Sequence, residues 1–242
     1  MKVTPYGVFW PPDAYLRPTI GTTMTQVYEH SSDSTEDRSQ YWNQYYAERA
    51  TVVRPLPSQF AAFVAGELET PHQVIELGCG SGRDSIFFST YGHEVIGVDG
   101  SVSAVRACAD LAEALGESAT FVASAIDAPD LVERLGTTDS PRCIYARFFV
   151  HAITDAEEES FLDLCAALTR PGDLLAVEYR TTRDQSGAKT TTTHFRRFVL
   201  PARFEARALG RGFDVVYAAE GFGFAKHRQD DAYVARTVLK KG

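Results

Sequence analysis

The sequence predicts an α/β fold, a seven-stranded, mostly parallel, doubly wound sheet with an antiparallel last strand. Three observations predict it. From position 74 to position 179, strand-like and helix-like segments alternate, the pattern of a parallel sheet covered on both faces. The first strand-like run leads directly into a glycine-rich turn and a helix, as at the carboxyl edge of such sheets. Near the end, 213–219 and 233–239 are β-rich runs joined only by a loop. That link is too short for a parallel crossover, so the two should pair antiparallel.

The elements follow in order. Residues 1–38 mix Pro5, Pro11, Pro12 and Pro18 with Phe9, Trp10 and Tyr15, and close on the polar, turn-forming stretch SSDSTEDR. They read as an N-terminal arm or linker, with its aromatics available to cover a surface as a lid or a dimer contact. From Ser39 the pattern becomes regular, and 39–242 reads as one domain. Apolar residues recur at helical spacing over 40–50 and 58–68, on either side of Pro55 and Pro57. Strands are expected at 74–77, 94–98, 120–123, 143–147 and 174–179, and helices at 84–90, 103–115, 130–135 and 155–168. An inserted segment, 181–200, follows the fifth strand and leads into a helix over 202–209.

Composition narrows the function classes. The 242 residues are 44% hydrophobic, enough for one substantial core. Lys and Arg number 24 against 32 Asp and Glu, a net charge of −8. That balance argues against a nucleic-acid partner, whose affinity comes largely from phosphate neutralisation. Cys79, Cys108, Cys143 and Cys165 are far apart and form no C-x-x-C pair, so neither a zinc site nor a disulfide framework is expected. They read as reduced, mostly buried thiols. No apolar run approaches the roughly 20 residues that span a bilayer, and prolines interrupt the start before a signal-peptide core could form. The expectation is a soluble, cytoplasmic protein without a metal.

The informative stretch is Val74-Ile75-Glu76-Leu77-Gly78-Cys79-Gly80-Ser81-Gly82-Arg83. A dinucleotide fingerprint, G-x-G-x-x-G, would place its third glycine where Arg83 stands, and no Gly-Lys-Ser/Thr follows to make a P-loop. Glu76, just before the turn, suits a ligand with positive charge better than a pyrophosphate. The second strand ends in Val98-Asp99-Gly100-Ser101, where a carboxylate can accept both hydroxyls of a ribose.

E-L-G-C-G-S-G followed by G-V-D-G-S closely resembles motifs I and post-I of the class I S-adenosylmethionine-dependent methyltransferases, a Rossmann-like fold. The run GRDSIFFSTYGHEVIGVDGS is similar to the small-molecule branch that includes tellurite-resistance and thiopurine methyltransferases. The resemblance covers 39–240 and is most specific in the first half. It implies S-adenosylmethionine as cofactor, with S-adenosylhomocysteine as product. Gly78, Cys79, Gly80 and Gly82 would lie against it, Glu76 near the loop, Asp99 on the ribose, and Gly100 and Ser101 beside the adenine. After the third strand the family's usual acid is missing or displaced, leaving backbone Ala125 and apolar Ile126 to border the adenine. Arg147, ending the fourth strand, would line the methyl-transfer channel. Tyr46, on the helix carrying Tyr41, Trp42 and Tyr45, could close over the sulfonium, since aromatic faces attract cations.

Ligands of open α/β sheets sit outside the carboxyl ends of the strands, which ranks the acceptor-side candidates. Arg180 to Arg211 holds eight Lys/Arg against two Asp/Glu, a net +6 in an acidic chain. A basic focus suits an anionic small molecule. Arg180, Arg196 and Arg197 are the expected acceptor contacts, with Lys226 in the loop after the sixth strand. Arg203, Arg207 and Arg211 fit the solvated outer face of their helix. His151 and His194 are the candidate general bases, and Tyr179 is a third residue near the chemistry, better suited to packing or orienting. An acceptor already present as carboxylate or neutral amine needs no base, and in-line approach with exclusion of water then supplies the rate. The expected reaction is methyl transfer to O or N of a small, anionic acceptor, with a homodimer as a partner for the arm. The alternatives are a non-enzymatic cofactor-binding scaffold, a nicotinamide-dependent oxidoreductase and, against the charge and with Arg147-Phe148-Phe149 in place of an N/D-P-P-Y motif, a nucleic-acid methyltransferase.

Overall fold

The computed structural model describes residues 35–47, 54–185, 195–226 and 230–242. Most of the arm, residues 186–194 of the insertion and with them His194 lie outside the described residues. Asp33–Gly242 forms one compact unit.

Seven strands form one sheet: β1 (Gln73–Leu77), β2 (Glu94–Asp99), β3 (Thr120–Ala123), β4 (Arg142–Arg147), β5 (Leu174–Arg180), β6 (Phe213–Gly221) and β7 (Val234–Lys241), in the order β3-β2-β1-β4-β5-β7-β6. The first five are parallel. β7 slots between β5 and β6 and runs antiparallel to both, as the short final connection requires. The helices are α1 (Thr35–Ala47), α2 (Gln59–Glu67), α3 (Arg83–Thr90), α4 (Val102–Leu115), α5 (Leu131–Leu135), α6 (Asp155–Leu168) and α7 (Pro201–Leu209). Helix α1 begins earlier than the expected position 40. Thr35–Arg38 belong to its first turn.

Local signals explain the helix starts. Ser58, Ser101 and Thr154 each cap a helix through the side-chain oxygen, and Thr154 forms a reciprocal capping box with Glu157. Pro201 opens α7, where its missing N–H costs nothing. Strand β1 is buried along its whole length, as a central parallel strand must be.

Alternation along the strands sends side chains to opposite faces. Ile75, Leu77, Ile144, Ala146, Leu175 and Val177 pack with α6 and α7. Val74, Cys143, Tyr145, Ala176 and Val238 pack with Phe60 and Val64 of α2 and Phe88 of α3. By the same alternation Glu76, Arg147, Glu178 and Arg236 fall on the α2/α3 face, at the carboxyl ends of the parallel strands. All four cysteines are free and buried.

Candidate functional site

The turn after β1 hangs on the end of β2: the N–H groups of Gly78 and Cys79 both donate to the Val98 carbonyl, at 2.8 and 3.1 Å. Gly78 and Gly82 hold positive φ of 77° and 70°. A Cβ on Gly78 would lie 2.4 Å from the Phe149 ring, and one on Gly82 2.8 Å from the Cys108 sulfur. Glycine is therefore required at both positions on conformational and packing grounds. Behind the loop the Cys108 thiol donates to the Gly80 carbonyl at 3.2 Å, and the Cys79 thiol meets Cys108.

Asp99 joins the loop to the next strand. Its Oδ2 accepts from the Gly80 N–H at 2.9 Å and its Oδ1 from the Ser101 N–H at 2.8 Å. Each carboxylate oxygen has room for a second donor. Burial pushes the carboxyl above its ordinary range. The Asp99 carbonyl accepts from Ser124 N–H at 3.0 Å, which brings the loop carrying exposed Ala125 and half-buried Ile126 alongside. Gly100 is exposed, with open space around it. Gly78, Gly80, Gly82, Asp99, Gly100, Ser101, Ala125 and Ile126 are thus brought together along one rim.

Glu76 stands behind this rim. It is buried between β1 and α3 and accepts from Ser85 Oγ at 2.5 Å. Burial and the neighbouring charge of Asp84 push its carboxyl well up. Asp84 in turn accepts from the Ser58 N–H, the Ser58 hydroxyl and the Tyr145 hydroxyl at 2.8, 2.7 and 2.9 Å. This buried network anchors the start of α3 beneath the glycine turn, so Glu76 supports the loop from within and is not presented to a ligand.

A second constellation lies across β4, β5 and β7. Glu178, with no exposed surface, accepts from Arg147 Nε at 2.8 Å and from Arg236 Nε at 2.7 Å. Arg236 also donates to the Phe224 carbonyl at 2.6 Å. Phe148 follows β4 with a φ of 58°, a left-handed conformation that is costly for an aromatic residue. Its N–H donates to the Glu178 carbonyl at 2.8 Å, and the Arg147 guanidinium lies 4.2 Å from its ring centroid. Sequence reasoning passed over Glu178 and Arg236 as site residues. Their signal was one acid in β5 and one base in β7, legible as a pair only once the strands are known to be paired with Glu178 opposite Arg236.

Several expected acceptor contacts have other work. Arg197 donates to the Ile153 and Val150 carbonyls at 2.6 and 2.9 Å, to Asp155 at 2.7 Å and to buried Glu158. Its guanidinium ties the insertion to the start of α6 and is unsuited to hold a ligand. Arg203, Arg207 and Arg211, expected to be solvated, are ion-paired to Asp155, to Glu158 and Glu159, and to Asp163 and Glu159. Arg180 is buried, gripping Asp184 and Asp230 at 2.7 and 2.6 Å. Arg196 is half-buried, its pKa lowered by burial and by Arg180, with Asp184, Asp230 and Tyr41 also within electrostatic reach. Lys226 is exposed at the end of its loop.

Tyr179 points into the opposite core, against Phe204 and 3.5 Å from the Thr237 hydroxyl, and burial pushes its pKa up. It packs and faces no ligand. His151 is buried, with Nδ1 accepting from the Arg180 N–H at 3.2 Å. A neutral imidazole has one acceptor nitrogen, and here it is occupied by the backbone.

Helix α1 spans the carboxyl edge of the sheet. Arg38 forms a two-pronged bond with Glu157 at the start of α6, at 3.0 and 2.7 Å. Asn43 accepts from the Ser101 hydroxyl at 2.8 Å and the Ser103 N–H at 3.3 Å at the start of α4. Tyr41, Trp42 and Tyr45 cluster on it with ring centroids 5.0 to 6.1 Å apart. Tyr46 lies on the same helix, with its side chain outside the described set. Among the described residues no group of His, Cys, Asp and Glu is arranged to hold a metal, and no helix is long and apolar enough to cross a membrane.

With the geometry in hand, residues 74–172 match the family described as methyltransferase domain. A stretch of 104 residues is 32% identical to the ubiquinone biosynthesis O-methyltransferase of Nitrobacter winogradskyi, covering 43% of this chain and 37% of that protein. Among solved structures, a SAM-dependent methyltransferase from Anabaena variabilis superposes with a TM-score of 0.65 at 18% identity, over 84% of this chain and 95% of that one. The CcbJ methyltransferase from Streptomyces caelestis gives 0.63 at 19% identity, over 83% and 96%. The architecture is the class I methyltransferase fold.

Proposed function

We propose that this enzyme, a methyltransferase on the class I fold with S-adenosylmethionine as its cofactor, moves the methyl group to O or N of a small, anionic acceptor. The observation that carries the reading is Asp99. It ends β2 beside a turn of left-handed glycines, holds the Gly80 N–H with one oxygen, and keeps acceptor capacity on both. The residues present fit the cofactor: the glycine turn offers bare backbone, Asp99 would take the ribose hydroxyls, and Gly100, Ser101, Ala125 and Ile126 would flank the adenine. When bound, the cofactor supplies a methyl group activated on a sulfonium.

The protein's own part is to bind, orient and exclude water. Helix α1, pinned at both ends by Arg38 and Asn43, supports the role of a cover, with Tyr46 still a candidate for its inner face. Oxygen as the accepting atom draws support from the O-methyltransferase relative. The anionic acceptor rests on fewer cations than the sequence suggested, because Arg197, Arg203, Arg207 and Arg211 answer to α6. Arg196 and Lys226 remain of the expected contacts, joined by Arg147, which was expected to line the methyl-transfer channel, while Arg180 is taken up by Asp184 and Asp230. No base is assigned: His151 has its Nδ1 on the Arg180 N–H, and His194 stays a candidate. The tellurite-resistance and thiopurine branch rests on the run from Gly82 to Ser101. The same reading keeps the protein in the cytoplasm, with residues 1–38 as a lid or dimer contact.

The test is a calorimetric titration with S-adenosylhomocysteine, using NAD as the control. Saturable micromolar-range binding of the first alone is expected. Asp99→Ala should weaken it by roughly 100-fold or more, the loss of two charge-assisted hydrogen bonds, with the circular dichroism spectrum unchanged. Unaltered affinity in that variant, or binding of NAD instead, overturns the assignment.

A further inference from the structure

We propose that Arg147 is the anion receptor of the acceptor site, taking a monocarboxylate on its two terminal nitrogens. The inference deepens the methyltransferase reading and rests on it for the name of the site, though not for the binding chemistry. Position comes first. Glu76 of β1 lies opposite Tyr145 of β4, so Arg147, two residues on, is level with Gly78 of the glycine turn. An acceptor held there is next to the cofactor rim.

The donor inventory comes second. A guanidinium carries five N–H groups and cannot shed its proton. Arg147 uses Nε on Glu178, and among the described residues nothing accepts from Nη1 or Nη2. Its side chain is 17% exposed, so the guanidinium is reachable from solvent without lying in bulk water. Arg180 and Arg197 differ in that their terminal nitrogens are spent on carboxylates and carbonyls.

Charge selects the ligand. Arg147 and Arg236 share the single carboxylate of Glu178, and the neighbouring Arg180 and Arg196 balance Asp184 and Asp230, which leaves a residual charge of about +1 in a low-dielectric setting. One carboxylate closes that to zero, and a phosphate dianion overshoots it. A carboxylate also matches the planar fork in a two-pronged fit. The fork is held in advance by Glu178 at one edge and by the Phe148 ring 4.2 Å away. Phe148 keeps that place through its left-handed backbone and its N–H bond to the Glu178 carbonyl. Half-buried Phe148, beside the fork, favours a ligand whose carboxylate sits on a flat apolar body.

The probe is benzoate, titrated calorimetrically into the full chain with and without S-adenosylhomocysteine. Wild type should bind it saturably and more tightly than phenyl phosphate. Arg147→Gln should lose about 10- to 100-fold of that affinity, and Arg147→Lys, which keeps the charge but not the fork, about 10-fold. Both variants should bind S-adenosylhomocysteine as wild type does, which also reports that they are folded. Benzoate affinity unchanged in Arg147→Lys and Arg147→Gln, no saturable binding to wild type, or a preference for phenyl phosphate each overturns the proposal. Failure of S-adenosylhomocysteine to bind wild type, with the benzoate pattern intact, would instead strike the cofactor reading.

Discussion

The two halves of the sheet's carboxyl edge are built from different materials. On the β1–β2 side the rim is backbone: glycines with positive φ, amide N–H groups and one carboxylate, all between Gly78 and Ser101. On the β4–β5–β7 side it is side chain: Arg147, Glu178 and Arg236, drawn from strands up to 89 positions apart and joined by ion pairs. Backbone can hold a ligand of constant shape. Charged side chains, replaceable one at a time, can recognise a partner that varies. The difference fits the proposed reading, one invariant cofactor and a specific acceptor.

If the halves are separable, breaking one should spare the other. The largest effect is expected for Glu178→Ala, which leaves two guanidinia facing each other without their shared counter-ion. Removal of one member of such a buried group costs about 3–5 kcal/mol, read as a lower urea midpoint, while S-adenosylhomocysteine affinity changes less than about 3-fold below the transition. A loss of cofactor affinity equal to that of Asp99→Ala would show the halves to be one unit.

Gly78→Ala attacks the place where they meet. The added methyl would enter the Phe149 ring at 2.4 Å and sit on a backbone with φ of 77°. Strain and overpacking together should cost about 2–4 kcal/mol and, unlike Glu178→Ala, should weaken both S-adenosylhomocysteine and benzoate. Loss of only one would sharpen the boundary to one side of Phe149.

The smallest effect sharpens the comparison from beneath. The Glu76 carboxyl is pushed well above its ordinary 4.5 by burial and Asp84. A raised folded pKa means that the stability gained by protonation is complete below 4.5 and is lost as pH rises through the folded value. Wild type should therefore lose stability relative to Glu76→Gln as pH rises above 4.5. Thermal melts across that range report it. A difference that is flat with pH would mean that Glu76 stays charged and has an unrecognised cation beside it.

The same division explains what could be read in advance. The glycine turn and Asp99 are complete within some 25 residues and the alternation repeats a pattern of local segments, and the structure places these elements as expected. The antiparallel end was legible because a short loop forbids a crossover. Arg197 was not, because a guanidinium in a basic insertion looks the same whether it meets a ligand or the carboxylate of Glu158. Tyr179 and His151 were ranked by their place at strand ends, but alternation turned Tyr179 to the far face and one backbone N–H took up Nδ1 of His151. The start of α1 was missed because acidic residues that look turn-forming also favour a helix N-terminus.

The seating of β7 inside the sheet also imposes an order on how the protein is made. During synthesis β1 to β5 and the whole glycine rim emerge first and can assemble from the amino end. β6 emerges next but has no sheet neighbour except β7, and Glu178 lacks Arg236 until β7 arrives. The nascent chain therefore exposes the open edge of β5 to the ribosome's surroundings for as long as it takes to add some 60 further residues. At roughly 5–20 residues per second that is an interval of several seconds. In it the glycine rim can form, whereas Arg236 has yet to join Glu178.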